Sequence, residues 1–468
     1  MPIDSKHPDY ETAAPLWQRM RDVVAGEDAV HKAQVRYLPM LTEQKPEEYR
    51  AYVMRTPFFG ATARTIDALH GLMFRKPPFL TMPAAMEEIA ADVTMAGRTL
   101  DGFVGDIARE CLSVGRVGVL VDFPRVEQRP VSMGQAQATG QRPFATLYKA
   151  EHVFFWRERR IGNKLQLVEA RLHETYASPV DEWTEESRPQ IRQLVLEEGA
   201  YVQRIFRQSK ETGEWTLVEQ IVPQLNGAPL RYIPFVILGS DAVSSDMAPP
   251  PLLDMANLNL SHYRSTADLE HGAHLTGLPM LFLAGIQLGE GEKVYVGSQS
   301  AVISPDPQAD GKWIEFTGQG LEALEKRCEK KEQQMAALGA RMLAPEKKAA
   351  EAGHTVEMRV GHETSMLADM AHVVSDASTK IMGWLRDWAG IGGEVRCQVN
   401  TDYVVAQLSA QDVTALVASW QQGAISKQTL FWNLQQGEVI EDGVTFEDEE
   451  ARIGDAQPML MSQDDGGG

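Results

Sequence analysis

The spacing of apolar residues predicts helices in the N-terminal part of the chain. Residues 12–75 place apolar side chains three and four positions apart, as one face of an amphipathic helix requires. Pro77 and Pro78 end that pattern. A further helix is predicted over residues 100–114, and it leads into a short strand rich in β-branched residues over 115–122.

The apolar period changes from helical to alternating after a polar loop. Residues 125–143 are rich in Gln, Gly and Pro and are predicted to form a surface loop. Residues 144–239 then alternate with a period of two, which predicts an antiparallel β module. Within it, residues 201–206 and 214–218 read as the two strands of a hairpin. Helices and strands together predict an α+β fold.

Two amphipathic helices are predicted on either side of a β-rich segment. The first spans residues 249–276 and opens with three prolines, which the first helical turn tolerates. The second spans residues 318–343, where Lys331 interrupts an apolar heptad pattern. The apolar positions of that pattern are Leu321, Leu324, Cys328, Met335, Leu338 and Met342. The short apolar runs predicted as strands between the helices are 280–283, 293–296, 301–303 and 313–316.

A polar loop is predicted over residues 344–355, followed by another long helix. That helix extends from about residue 356 to Trp388, and the glycines at 390–393 end it. Residues 395–405 alternate as a strand.

Two short helices and an acidic tail are predicted to complete the chain. Ser409 and Ser426 stand where helix N-caps are expected. From Glu438 onward the sequence has ten acidic residues and one arginine. We expect a charge run without apolar periodicity not to pack tightly.

Charge and composition exclude several classes of protein. The 468 residues carry a formal net charge of -20, so the basic footprint of a sequence-specific DNA binder is absent from the total. The longest apolar stretch, residues 277–286, is about half the roughly 20 residues that a membrane-spanning helix needs. No secretory signal is recognisable, and the three cysteines are far apart. We therefore expect synthesis in a reducing cytoplasm, no disulfide and no membrane partner.

The motifs of common enzymes are not found. The sequence has no phosphate loop, no dinucleotide-binding fingerprint and no Gly-x-Ser-x-Gly elbow. His271 and His274 have the spacing to share a helix face, but a catalytic metal needs a third ligand. We predict no enzymatic activity, no cofactor and no metal. An enzyme or nucleic-acid-processing factor with an unrecognised site stays open as the alternative.

Several short strings, in their order and spacing, resemble the portal or head–tail connector proteins of tailed bacteriophages, within a portal-like subfamily of unknown function. The strings are residues 64–77, 115–124, 148–156, 233–235, 276–281, 337–343 and 399–403. They extend over most of the chain between residues 10 and 435.

The resemblance implies a division of the chain into the parts of a portal subunit. The parts are a wing (1–248), a first stem helix (249–276), a clip (277–317), a second stem helix (318–343), a tunnel loop (344–355), a long wing helix and strand (356–404), and a crown with the acidic tail (405–468).

The resemblance also implies a function and a set of partners. Portal subunits form a ring, usually of twelve, at one vertex of the capsid, through which double-stranded DNA passes non-specifically during packaging and ejection. The expected partners are the terminase large subunit, the major capsid and scaffolding proteins, and head–tail adaptor proteins. Assembly would take place in the bacterial cytoplasm and the product would reside in the virion. Another ring-forming virion component stays open as an alternative.

Three groups of residues receive roles from the resemblance. Arg341, Lys347 and Lys348 would face DNA in the channel. Leu253, Leu260, Leu321 and Leu324 would pack the stem, with neighbouring subunits covering the apolar stripes. Glu290, Glu292 and Lys293 would form the docking surface of the clip.

Overall fold

The computed structural model describes most of the chain, in two compact units. The described residues are 2–124, 141–179, 181, 183–210, 212–276, 280–284, 301–304, 313–314, 319–342, 365–401, 403, 410–437, 439–440 and 444–455. The first unit spans Met1–Thr401 and the second spans Asp402–Gly468.

The N-terminal helices confirm the helical prediction but are shorter and more numerous than one continuous pattern suggests. They are α1 (Pro8–Ala25), α2 (Glu27–Ala33), α3 (Pro46–Arg55), α4 (Ala61–Met73), α5 (Glu87–Ala91) and α6 (Leu100–Val114), with 3-10 turns at Gln34–Arg36, Ala84–Met86 and Ala150–His152. Helix α6 has the predicted bounds. The Thr99 hydroxyl accepts from Gly102 N at its start, and Gly115, at φ 72°, ends it in the left-handed conformation.

The antiparallel β module exists, but its strands divide between two main sheets. The strands are β1 (Phe79–Thr81), β2 (Arg116–Asp122), β3 (Phe144–Lys149), β4 (Val153–Ile161), β5 (Lys164–Pro179), β6 (Glu185–Glu197), β7 (Ala200–Gln208), β8 (Trp215–Ile221), β9 (Gln224–Leu225), β10 (Ala228–Pro229) and β11 (Phe235–Gly239).

Five of these strands form a meander and three form a separate sheet. The meander has the order β4-β5-β6-β7-β8, and its β7–β8 hairpin is the predicted one. The smaller sheet has the order β11-β2-β3 and therefore joins two strands of the predicted module to one from outside it. Strands β9 and β10 pair with each other. Alternation of apolar and polar residues predicts that a segment forms a strand but not which strand it pairs with, because pairing depends on the tertiary structure.

A buried polar network lies where the two sheets meet. The carboxylate of Glu174 on β5 accepts from Tyr148 Oη at 2.5 Å, from Arg192 Nε at 2.6 Å and from Gln190 Nε2 at 2.7 Å. Burial alone would raise the pKa of Glu174, but the charge of Arg192 and these hydrogen bonds hold it below its usual value. The network joins the two sheets through Tyr148, which belongs to β3.

Three further helices dominate the second half of the first unit. They are α7 (Leu253–Thr276), α8 (Gln319–Arg341) and α9 (Met366–Trp388). Helix α7 begins at Leu253 and not at the predicted Pro249, because a residue that precedes proline is disfavoured in the helical conformation. Helix α9 begins ten residues later than predicted, where the Ser365 hydroxyl accepts from Ala368 N.

Helix α9 forms the core of the unit. Twelve of its residues are buried, and it packs against α6, α4, β2, β3 and β11. After it, among the described residues of the predicted strand (395–401 and 403), Arg396–Gln398 form a strand (β15). Strand β15 pairs with β1, directly after Pro77 and Pro78, where the sequence pattern had indicated only the end of a helix.

The segment between α7 and α8 contains three described strands. They are β12 (Met280–Ala284), β13 (Ala301–Ser304) and β14 (Trp313–Ile314), in the order β13-β12-β14. Strands β12 and β13 run parallel, and β12 and β14 run antiparallel. The strand predicted at residues 293–296 lies outside the described residues.

The second unit contains three described helices, one more than the sequence pattern predicts. They are α10 (Ala410–Gln421), α11 (Lys427–Gln436) and α12 (Phe446–Asp455). The predicted cap at Ser426 is confirmed, since its hydroxyl accepts from Thr429 N, whereas Ser409 lies outside the described residues.

The acidic run was wrongly expected to remain unpacked. Helix α12 lies within it, and the Phe446 ring contacts Phe431 with centroids 5.6 Å apart. Lys427 Nζ and Glu450 Oε1 are 3.0 Å apart. The acidic residues Glu447, Asp448 and Glu449 occupy the first turn, where the helix dipole favours negative charge.

Candidate functional site: the helix pair

Helices α7 and α8 lie against each other and run in opposite directions. Thr266 lies opposite Cys328, with the hydroxyl oxygen 3.8 Å from the sulfur, and His262 lies opposite Glu332. Towards one end, a β-carbon at Gly272 would come within 2.8 Å of Leu321, so glycine permits the close approach there. Towards the other end, Met255 is within 3.5 Å of the β-carbon that Gly339 lacks. We call α7 and α8 together the helix pair.

The centre of the helix pair is polar. Lys331 is 8% exposed, and its Nζ donates to Ser261 O at 2.7 Å and to Ser265 Oγ at 2.6 Å. Burial lowers the pKa of Lys331, and the nearby Arg327 charge lowers it further. One step along, His262 Nε2 lies 3.1 Å from Glu332 Oε1. Such a seam fixes the register of two helices more narrowly than apolar side chains do.

The prediction that Lys331 interrupts the packing stripe is therefore wrong. The lysine continues the stripe, since Cys328, Lys331, Met335 and Met342 are all buried. Its methylene stem packs in the seam and its ammonium group reaches acceptors on α7, because a long amphipathic side chain can do both.

The four leucines assigned to stem packing differ in burial. Leu260 is 4% exposed, whereas Leu253, Leu321 and Leu324 are only half-buried. Packing between subunits at the two α8 leucines, Leu321 and Leu324, stays a prediction.

The expectation that neighbouring subunits cover the apolar stripe of α7 is wrong. Helices α1, α3 and α4 of the same chain pack against α7 and cover it. Polar contacts fix this packing. Asn259 Oδ1 accepts from Thr62 N at 3.2 Å, and Tyr52 Oη donates to Asp268 Oδ1 at 3.0 Å.

Helix α8 leaves most of its circumference exposed. The exposed charged residues are Glu322, Glu325, Lys326, Arg327, Glu329, Lys330, Glu332 and Arg341, and the exposed alanines are Ala323, Ala336, Ala337 and Ala340. The pair formed by Lys326 and Glu322 stays on the helix itself. A mixed-charge face of this kind is compatible both with solvent and with a partner of alternating charge.

The end of α8 and the start of α9 are joined by a hydrogen bond. Leu367 N donates to Met342 O at 3.2 Å. Arg341 is exposed at the end of α8. Lys347 and Lys348 lie outside the described residues, as do Glu290, Glu292 and Lys293 of the predicted clip. Their assigned roles stay predictions.

Nothing in the described residues assembles around the candidate histidines. His271 is half-buried beside Tyr52, with ring centroids 5.2 Å apart, and His274 is exposed. Among the described residues, no group of three His, Cys, Asp or Glu side chains is placed to hold a metal ion. All three cysteines are free and buried. Within the same residues, no helix is long and apolar enough to cross a membrane.

Sequence reasoning missed the polar partners on α7. Ser261, His262, Ser265 and Thr266 fill consecutive turns of the face that meets α8. The signal available was their spacing of three and four residues, opposite a lysine in an otherwise apolar heptad. Recognising it requires knowing which two helices pair.

One protein family matches the region of the chain that contains the helix pair. Residues 251–389 match the family described as "Domain of unknown function (DUF4055)". This range covers α7, the segment between the helices, α8 and α9. No curated protein matches the chain.

Two solved structures are similar to the chain at low identity. One is described as the virion of a native gene transfer agent particle, with 11% identity and a TM-score of 0.36, covering 79% of this chain and 88% of the other. The second is described as the neck of an empty gene transfer agent particle with C6 symmetry. It has 12% identity and a TM-score of 0.35, and the similarity covers 80% of this chain and 90% of the other.

Proposed function

We propose that the chain is the subunit of a portal-type ring that conducts double-stranded DNA through one vertex of a phage-like capsid. The observation that carries the proposal is the antiparallel helix pair, with three described strands between its two helices in the chain and the buried helix α9 after it. Met342, directly after α8, is hydrogen-bonded to Leu367 at the start of α9. This order is the stem, clip, tunnel loop and wing helix that the sequence resemblance implies.

The helix pair has the properties of a strut between a body and a partner. Helix α7 is anchored in the body by α1, α3 and α4, and at 24 residues it is about 36 Å long. Helix α8 lies on its outer side and exposes charges of both signs. In a ring, each copy would present this α8 face to its neighbour, and pairs of opposite charge would set the contact.

The overall charge suits a conduit better than a binding protein. With a formal charge of -20 in each copy, the wall of a ring repels phosphate at short range, so DNA can slide. In such a channel, the effect of a basic side chain on DNA depends on where it lies in the wall. Arg341, Lys347 and Lys348 would each form a ring of positive charge around the DNA, as flexible point charges in the case of the lysines.

The excursion 277–317 would carry the docking surface for other virion and packaging proteins. We assign Glu290, Glu292 and Lys293 to contacts with the terminase large subunit during packaging and with head–tail adaptors afterwards. The broad N-terminal part would meet the capsid and scaffolding proteins. Charge reversal at these three residues would then impair packaging and leave the ring intact.

Mass measurement tests the ring. Native mass spectrometry of the purified protein is expected to give about 620 kDa for twelve copies of 51.9 kDa, and negative-stain images should show a central channel. Leu324→Asp, in the half-buried part of the seam, should reduce the mass to small oligomers and leave the circular dichroism spectrum largely unchanged. Leu217→Asp, at an exposed leucine of β8, is the matched control. A wild-type protein that stays monomeric in the presence of its partners would refute the proposal.

DNA retention tests the channel. The double variant Lys347→Ala, Lys348→Ala should assemble normally but alter DNA retention, most strongly at low salt, where phosphate contacts are strongest. Wild-type retention across a salt series would remove these lysines from the mechanism.

A further inference from the structure

The exposed charges of helix α8 are sorted by sign around the helix axis. Successive residues of an α-helix turn by about 100°. Relative to the buried stripe that contains Cys328 and Met335, the acidic residues are therefore centred about 110° to one side and the basic residues about 120° to the other. The acidic flank consists of Glu322, Glu325, Glu329 and Glu332, and the basic flank consists of Lys326, Arg327, Lys330 and Arg341. Helix α8 thus presents one sign of charge on each side of the face that meets α7.

Most of these charges have no counter-charge within the chain. Glu322 pairs with Lys326 on the helix itself at 2.6 Å, and Glu332 Oε1 lies 3.1 Å from His262 Nε2. The other five side chains form no ion pair with any residue that the structure describes. They are Glu325, Arg327, Glu329, Lys330 and Arg341, and all five are exposed. Both flanks are therefore available to a partner.

The basic flank continues onto α7. Arg264 is exposed on that helix. Burial lowers the pKa of Lys331, and the charges of Arg327 and Arg264 lower it further, so both arginines lie on the side of the helix pair where Lys331 is buried. Asp268 lies on the same side and accepts a hydrogen bond from Tyr52 Oη. Positive charges outnumber negative ones on this side of the pair.

We propose that the acidic flank of one copy contacts the basic flank of the next copy around the ring. A cyclic ring joins two different surfaces of each subunit, so every copy needs two complementary patches on different sides. The flanks of α8 are such patches, because the buried stripe separates them. The inference rests on the proposed ring and adds to it the surface that joins its subunits.

The levels of the two flanks along α8 also suit a ring. The acidic flank spans residues 322–332, and three of the four basic residues lie within that span. Rotation about a ring axis leaves height unchanged. Where α8 runs along that axis, neighbouring copies therefore bring opposite charges to the same height.

Small side chains near the end of α8 allow neighbouring copies to approach closely. Ala336 and Ala340 lie on the acidic side of the helix and Ala337 on the basic side, and all three are exposed. The distance between two packed helices depends on the side chains at their contact. The charged part of α8 therefore provides recognition, and the alanines leave room for the contact.

The pattern favours a second copy over DNA as the partner of these flanks. Phosphate would be attracted by the basic flank but repelled by the acidic one, so a polyanion could use one side only. A second copy of the chain satisfies both sides at once, and the same contact repeats at every subunit boundary.

Charge reversal in the full-length chain tests the inference. Glu325→Lys with Glu329→Lys makes both flanks basic, and Lys326→Glu with Lys330→Glu makes both acidic. Each double variant should lower the fraction of protein in full-size rings by about tenfold or more, because like charges then face each other. Native mass spectrometry measures that fraction. Glu87→Lys with Glu88→Lys, at exposed glutamates of α5, makes the same charge change elsewhere and should leave the ring intact.

Mixing the two double variants tests whether the flanks meet each other. An equimolar mixture should recover full-size rings that contain equal numbers of the two chains, because each basic copy then lies between two acidic ones. The quadruple variant, which exchanges the signs of the two flanks, should also form rings. Recovery in either case shows that the double variants fold.

Several outcomes would overturn the inference. Full-size rings formed by either double variant alone would show that the flanks do not meet. Loss of the ring without recovery in the mixture would show that each flank contacts some other surface. If Lys326→Glu with Lys330→Glu keeps the ring but weakens DNA retention, the basic flank serves phosphate and the inference fails. These three results leave the proposed function standing, whereas a wild-type protein that forms no ring refutes the proposed function itself.

Discussion

Helices α8 and α9 have the same length, 23 residues, and follow each other in the chain, yet they are packed in opposite ways. Helix α9 is buried around most of its circumference by small and branched apolar residues. Helix α8 buries a single stripe, and that stripe includes a lysine.

The difference separates the part of the molecule that holds the fold from the part available to partners. Helix α9 contacts strands of the small sheet and helices α4 and α6, so a change on almost any of its faces affects the core. In the single chain, a substituted side chain on most faces of α8 would be exposed to solvent. If the ring exists, those faces are the ones that neighbours can occupy.

The largest effect is expected from the same substitution placed in the two helices. Ala377→Asp in α9 buries an unpaired carboxylate at a site with no exposure, and should cost on the order of 4 kcal/mol or prevent folding. Ala336→Asp, on an exposed face of α8, should leave the free energy of unfolding within about 0.5 kcal/mol of the wild-type value. Chemical unfolding followed by circular dichroism measures both, and similar losses would contradict the contrast between the helices.

The polar seam predicts a difference between two replacements of Lys331. Lys331→Glu sets a carboxylate against the carbonyl oxygen of Ser261, and should cost about 3–5 kcal/mol. Lys331→Met keeps the volume without a charge, and should cost under about 1.5 kcal/mol. The free energies of unfolding of the two variants, measured by urea denaturation, show which replacement costs more. If Met and Glu are equally damaging, the lysine contributes more than register to the pair.

The network at Glu174 predicts a pH-dependent effect outside the helices. The pKa of Glu174 is depressed in the folded state, so its contribution is present above the unfolded value near 4.5 and is lost as pH falls through the folded value. Glu174→Gln should therefore cost about 1–3 kcal/mol at pH 7, and the difference from wild type should shrink as wild-type Glu174 becomes protonated in acid. Glu185→Gln, at an exposed position of β6, should show neither effect. A deficit that is constant with pH would indicate lost packing and not lost charge.

The smallest effect concerns thiol reactivity. Burial raises the pKa of Cys111 and of Cys397 to about 12, so neither is a thiolate at neutral pH. A thiol reagent at pH 8 should leave both unmodified in the native protein and label all three cysteines after unfolding. Rapid labelling of Cys111 in the native protein would show that the α6 region opens readily.

Local patterns in the sequence were sufficient for several elements. The bounds of α6, the β7–β8 hairpin and the cap at Ser426 follow from residues within one or two turns of each other. The stripe of α8 was also predicted, except at Lys331. In each case the determining interaction connects residues that are close in sequence.

The packing of the helix pair depended on partners distant in sequence. Lys331 looked like an interruption because its acceptors, Ser261 and Ser265, lie some 66 to 70 residues earlier. The burial of α7 by α1, α3 and α4 likewise could not be read from the stripe itself. A periodic stripe shows that a face will be covered but does not identify the covering surface.

By itself, the sequence determined where chain segments become helical or extended, because hydrophobic period, proline and capping residues act over a few positions. The tertiary structure alone decided that β11 joins β2, that β1 pairs with β15, and that a lysine belongs inside the helix pair. The physical reason is that burial and hydrogen-bond satisfaction depend on which surfaces meet, and the residues that meet are separated by tens to hundreds of positions in the chain.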